Sequence, residues 1–159
     1  MNDTLLVPVR IVVFAALLFA PFWLMKAGNR VAVDASDTSM AVSGFPEGGY
    51  YIDSSPTRID QYKPGDVIAY HPPREYDKPR VGRILALEGA RVQVNEKGAW
   101  VNGQLERPQA DVGNLRVAEF RVPEGCFFVL ADSSVSGMDS VRCGPIPLNN
   151  VMGRLKSSN

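Results

Sequence analysis

Twelve prolines and fourteen glycines are spread along this chain of 159 residues rather than clustered, and that spacing limits what it can build. Proline removes a helix hydrogen bond and glycine costs a helix backbone entropy, so a bundle of long helices is disfavoured. Short strands joined by turns fit the same punctuation. Tyr62-Lys63-Pro64-Gly65-Asp66-Val67-Ile68-Ala69-Tyr70-His71-Pro72-Pro73 reads as a turn, an alternating strand and a stop at the double proline. Val42 to Ile52 reads as a turn running into an aromatic strand, and Leu115 to Val122 as a strand after a polar loop from Gln104 to Asn114. Val92 to Asn95 and Ala99 to Gly103 flank Glu96-Lys97-Gly98, a hairpin followed by the turn dipeptide Asn102-Gly103. The soluble part is therefore expected to be all-β.

One stretch breaks the pattern. Ile11 to Met25 is an uninterrupted apolar run of fifteen residues, extended to twenty-one from Leu5 if Arg10 snorkels toward the headgroups. Twenty-one residues at 1.5 Å each span roughly 30 Å, the thickness of a hydrocarbon layer. Lys26-Ala27-Gly28-Asn29-Arg30 lacks a small-x-small cleavage site, which favours an uncleaved transmembrane anchor over a removed secretory signal. Basic residues lie on both sides of the run, so they do not fix its orientation. The expected division is 1–30 as N-terminal stub and anchor, placing a lipid bilayer among the partners, and 31–159 as one β domain.

Composition removes several function classes. Seventeen basic and seventeen acidic residues balance to zero net charge, without the basic stripe that nucleic acid requires. One histidine and two cysteines are too few for a structural zinc site. There is no phosphate-binding loop and no internal repeat, and no cofactor is expected.

The most informative segment runs from Val122 to Arg154. Val122-Pro123-Glu124-Gly125 is a turn, Cys126 to Ala131 an apolar strand, Asp132 to Asp139 a polar loop, and Gly144-Pro145 restarts the chain toward Val151-Met152-Gly153-Arg154. The order resembles the last signature block of the type I signal peptidase family (S26), including the TraF-like peptidases of conjugative transfer. That block runs roughly V-P-x-G-x-x-F-V-x-G-D-N-x-x-N-S-x-D-S-R-x-x-G. Val122, Pro123, Gly125, Phe128, Val129, Asp132, Asp139, Ser140 and Gly144 match it without gaps, and Val151, Gly153 and Arg154 match its continuation. Gly65-Asp66-x-x-x-Tyr70 is similar to the family's G-D-x-V-x-F stretch, and Asn102-Gly103 to its hairpin.

The resemblance implies antiparallel sheets of the signal-peptidase type carrying a shallow cleft, tethered by one N-terminal transmembrane helix. It implies a bacterial inner-membrane location with the β domain on the periplasmic face, and a serine endopeptidase that cuts exported or pilin-like preproteins. The serine of such an enzyme needs a base within hydrogen-bond reach. The family's nucleophile lies three residues before a proline, where this chain has Ser43. The conjugative branch places it two before, which is Gly44, and Ser39-Met40 offers a second serine without the proline.

Gly82-Arg83-Ile84-Leu85-Ala86-Leu87-Glu88-Gly89 aligns with the strand that the family opens with its lysine base, and the lysine position holds Gly82. The family serine that bonds that lysine is Gly137 here. The arginine that pairs with the signature aspartate is Val141, leaving Arg142, one residue on, to replace it if a bulge re-aims it. Two substitutes for the base remain: Lys78, four residues ahead of Gly82, and His71, the sole histidine, at the end of another strand. Arg83 is excluded because guanidinium keeps its proton. Asp132, Asp139 and Ser140 complete the structural signature. The alternative is a catalytically inactive member that keeps a peptide-binding groove as scaffold or chaperone among the subunits of a secretion or conjugation machine. Cys126 and Cys143 bracket the signature loop and are read either as a disulfide or as two reduced thiols.

Overall fold

The computed structural model describes residues 30–33, 40–41, 44–45, 48–73, 78–108, 114, 116–133 and 138–155. The apolar run from Leu5 to Met25, the candidate nucleophile Ser43, Ser39 and Gly137 lie outside the described residues. Among the described residues no helix is long and apolar enough to cross a membrane.

Eleven strands among the described residues form two antiparallel sheets: β1 (Arg30–Val33), β2 (Gly48–Asp53), β3 (Val67–Tyr70), β4 (Arg80–Leu87), β5 (Arg91–Asn95), β6 (Gly98–Val101), β7 (Gln104–Pro108), β8 (Val117–Arg121), β9 (Cys126–Leu130), β10 (Ile146–Pro147) and β11 (Val151–Leu155). The larger sheet runs β1-β2-β11-β3-β4-β9-β10 and the smaller β7-β6-β5-β8. Both belong, Arg30 aside, to the compact unit Val31–Asn159. Among the described residues one four-residue helix, α1 (Ser140–Cys143), and two 3-10 turns, Ile59–Gln61 and Leu148–Asn150, interrupt the strands. The all-β expectation holds for the described residues. The plain strand-loop-strand reading of the signature block does not, because α1 occupies its middle.

Turn chemistry sets the strand ends. Gly65 takes φ +95°, the left-handed region that suits glycine, and Asp66 Oδ2 accepts the Lys63 amide at 3.1 Å, so the Pro64–Asp66 turn delivers β3. In the β6–β7 hairpin, Asn102 (φ +50°) and Gly103 (φ +82°) both take the left-handed conformation that a two-residue Asn-Gly connection demands.

A bulge in β4 decides where the core goes. Ile84 opposes Val129 and Ala86 opposes Phe128, with the register shifting between them. Two residues apart on a regular strand they would share a face; across the bulge they part. Ile84 packs with Tyr62, Ile68, Tyr70, Phe127, Val129 and Ile146 on one face of the larger sheet. Ala86 joins Phe128, Leu130, Val92, Val94, Ala99 and Val122 between the two sheets. Met40 and Phe45 pack in a third cluster with Val67, Ala69, Val81 and Leu155.

Candidate functional site

Asp132 leaves the end of β9 and is gripped from two strands. Arg83, on β4, donates from Nε to Oδ1 at 3.0 Å and from Nη2 to Oδ2 at 2.7 Å, while its Nη1 donates to the Gly65 carbonyl at 2.9 Å. Arg107, on β7 of the smaller sheet, donates to Oδ1 from the other side. The Asp132 side chain is only 5% exposed, and a buried carboxylate needs such partners to stay charged. Its hydrogen bond pushes the Arg83 guanidinium further above its ordinary value, so Arg83 is a fixed cation. The Asp132 amide approaches Met40 Sδ at 3.3 Å, which seats Met40 against the signature segment. Nearby, the Gly44 amide donates to Ala41 O and the Phe45 amide to Met40 O, each at 3.2 Å.

Asp139 and Ser140 act on backbone. Asp139 is the N-cap of α1: Oδ1 accepts the Val141 amide at 3.1 Å and Oδ2 the Ala131 amide at 3.3 Å. Burial pushes its carboxyl above the ordinary range, against the lowering effect of the amides of Ala131, Val141 and Arg142 and the charge of Arg142. Ser140 Oγ accepts the Val129 amide at 2.8 Å. Strand β10 is only two residues long, and beyond it these two side chains take the Val129 and Ala131 amides that a further strand would have used. Those two amides are therefore already taken. Arg142 sits on a helical turn and is exposed; the bulge expected to re-aim it is absent, because the Asp139 cap winds residues 140–143 into α1 instead.

Position 82 is filled by its neighbours. A Cβ built on Gly82 would stand 2.6 Å from Val129 Cγ1, 3.3 Å from the Leu130 carbonyl and 3.3 Å from Tyr70 Cε1. Tyr70, fully buried, pairs with Arg80 across β3–β4 and leans its ring over the glycine; its Oη donates to the Met138 carbonyl at 3.0 Å. A lysine stem has no room there. Lys78 lies in the turn ahead of β4 with its side chain exposed, unlike the buried lysine that the family resemblance implies. His71 exchanges backbone contacts with Asn150, amide to carbonyl and side-chain amide to carbonyl, each at 2.9 Å. Its Nδ1 is buried without a hydrogen-bond partner among the described residues.

Cys126 and Cys143 are free thiols. Successive side chains of β9 point to opposite faces, and Cys126 packs with the inter-sheet cluster whereas Cys143 packs with the Tyr70 cluster, so the disulfide alternative falls. The Cys143 thiol donates instead to the Asp139 carbonyl at 3.0 Å.

Sequence reasoning missed Tyr70, Arg107 and Met40. A glycine inside an otherwise apolar strand was the available signal for the first, since it marks a close approach. Nothing in the sequence singled out Arg107, whose partner is 25 residues away on another sheet. Among the described residues no cluster of His, Cys, Asp and Glu could hold a metal ion. A surface depression of about 450 Å³ lined by Glu88, Gly89, Arg121, Val122, Pro123 and Glu124 contains none of the expected site residues.

A family model described as signal peptidase, peptidase S26, matches residues 5–158. The chain is 33% identical over 103 residues to a probable signal peptidase I-1 of Synechocystis sp. (56% of this chain, 50% of that protein). It is 29% identical over 106 residues to a signal peptidase I of Bacillus caldolyticus (57% of each), and 32% over 76 residues to thylakoidal processing peptidase 1 of Arabidopsis thaliana (46% and 22%). The chain thus spans about half the length, or less, of these curated relatives. A signal peptidase I structure from Enterococcus faecalis V583 aligns with TM-score 0.49 at 24% identity, covering 62% of this chain and all of that one.

Proposed function

The chain belongs to the signal peptidase S26 family, and on that premise we propose that it engages exported preproteins on the signal-peptidase scaffold without the family's lysine-driven hydrolysis. The observation that carries this is the 2.6 Å approach of Val129 to the Cβ position of Gly82. Serine hydrolysis needs a base within hydrogen-bond reach of the hydroxyl. The family meets that need with a lysine kept neutral by burial, and here side chains from β3 and β9 occupy the room it would need. What the site keeps is rigid backbone: Asp132 locked between two arginines, and Asp139 and Ser140 holding the end of β9. That suits a surface that binds an extended chain and releases it uncut, as a scaffold or chaperone within a secretion or conjugation apparatus. An anchor formed by Leu5 to Met25 would tether it to the bacterial cytoplasmic membrane with the β unit outside.

A second reading, a membrane-anchored serine endopeptidase acting on exported or pilin-type preproteins, is supported by the relatives, which are signal and processing peptidases by name. In that reading Ser43 is the nucleophile and Lys78 the base. One experiment separates the two. Full-length protein in detergent micelles is incubated with a membrane-anchored preprotein, and both complex formation and cleavage are followed. The first reading expects a complex and no cleavage, with Ser43→Ala and Lys78→Ala behaving as the parent. Cleavage that either substitution abolishes would replace it with the second.

A further inference from the structure

We infer that Tyr70 is the positioning residue of this site, its hydroxyl fixing the Met138–Ser140 segment in the geometry that receives a peptide. The inference rests on the peptide-binding reading above. Tyr70 is 1% exposed, and its ring sits over Gly82 in a cluster with Tyr62, Ile68, Ile84, Phe127, Val129 and Ile146. A phenylalanine would fill that space equally well, so the oxygen is not there for packing. A buried hydroxyl must be hydrogen-bonded to be tolerated, and this one reaches the carbonyl of Met138, 68 residues away in sequence.

The target is well chosen mechanically. The next two residues are Asp139 and Ser140, whose side chains hold the amides of Ala131, Val141 and Val129. Those contacts attach the segment to β9 and α1, whereas the Tyr70 bond attaches it to β3, on the far side of β4 from β9. The segment is thereby held from two strands that are not hydrogen-bonded neighbours in the sheet, and its backbone direction is set by both. The chain has no lysine at 82 and no serine at 137, so neither of those positions can make this connection; the phenol makes it from the adjacent strand.

The test compares full-length wild type with Tyr70→Phe, which keeps the ring and removes only the oxygen. Amide exchange is measured at Val129, Ala131 and Val141, together with the affinity for a fluorescently labelled synthetic signal peptide ending in small residues, presented in micelles. Loss of one buried hydrogen bond corresponds to about tenfold in an equilibrium. Exchange at the three amides is therefore expected to quicken about tenfold and peptide affinity to fall by a similar factor, with Asp132 and its arginines unaffected. Unchanged exchange in Tyr70→Phe overturns the inference. Faster exchange with undiminished peptide affinity overturns it as well, by leaving the hydroxyl a purely structural bond. If wild type itself binds no peptide while exchange still quickens, the peptide-binding reading fails and the mechanical role of Tyr70 stands.

Discussion

Arg154 donates from Nη1 to Asp66 Oδ2 at 3.1 Å, joining β11 to the turn that opens β3 across 88 residues of sequence. Its Nη2 also lies 3.9 Å from Asp53 Oδ2 on β2. Asp66 is nearly buried and spends the same oxygen on the Lys63 amide, so the pair closes the Gly65-Asp66 turn as well as the sheet. Arg154→Gln and Asp66→Asn are each expected to destabilise by about 1–3 kcal/mol, the cost of leaving a buried polar group without its partner. Because they remove the same contact, the double variant should fall short of the sum by about 1 kcal/mol in urea unfolding. Simple additivity would mean that the contact contributes nothing.

Gly82 and Val129 are expected to behave as one packed unit. Gly82→Ala forces a Cβ into a contact of 2.6 Å and should cost about 1–3 kcal/mol by overpacking. Val129→Ala removes the obstructing Cγ1, so the double variant should be less destabilised than the two single effects predict. Thermal unfolding of the four proteins checks this. Gly82→Lys, which must also bury an amine beside Tyr70, is expected not to fold to a native-like state. A stable, folded Gly82→Lys would remove the steric basis of the non-hydrolytic reading.

What the sequence disclosed follows from how local each cause is. Asn102-Gly103 and Pro64-Gly65 impose their turns through backbone preferences that any neighbourhood would show, and the strand pair on either side of Glu96-Lys97 was legible from its turn signal, whereas Gln104–Pro108, expected as the start of a polar loop, forms β7. The signature residues Asp132, Asp139 and Ser140 were visible as a pattern, but their partners were not: Arg107 arrives from another sheet, and the amides of Val129 and Ala131 become acceptors' targets only once β10 proves too short to cover them. Helix α1 was the nearest miss. Asp139 ahead of Ser-Val-Arg is an N-cap signal, and the expectation of a continuous β loop overrode it. The bulge in β4 between Ile84 and Ala86, which changes which face every later residue occupies, has no signal in the sequence.

Asp139 should leave a signature in the pH dependence of stability. Its carboxyl is pushed above the ordinary 3.8 chiefly by burial, so the folded protein holds the proton more tightly than the unfolded chain. Protonation therefore favours folding: the contribution is fully present below pH 3.8 and is lost as pH rises through the folded value. Asp139→Asn removes the titration, so the stability of the parent relative to this variant is expected to decline as pH is raised through that window toward neutrality. Urea unfolding of both proteins across the acid range measures it. A difference that grows with pH would show that the amides of Ala131 and Val141 outweigh burial and would reverse the assignment.

Cys126 should be a slow thiol despite being partly accessible. Burial first, and the Glu88 carboxylate second, push its proton affinity above the ordinary 9.0, and only the thiolate reacts. Glu88 is held at this end of β9 because its Oε2 accepts the Gly125 amide at 2.6 Å, keeping a negative charge near the sulfur. Two thiols per chain are expected on titration of unfolded protein, with no change on prior reduction. In the native state Cys126 should alkylate well below the unfolded rate at mildly alkaline pH, Cys143 being distinguished by peptide mapping. Glu88→Gln removes the smaller of the two causes and should quicken the Cys126 reaction part of the way toward the unfolded rate. Full recovery of the unfolded rate in that variant would assign the slowness to charge rather than to burial.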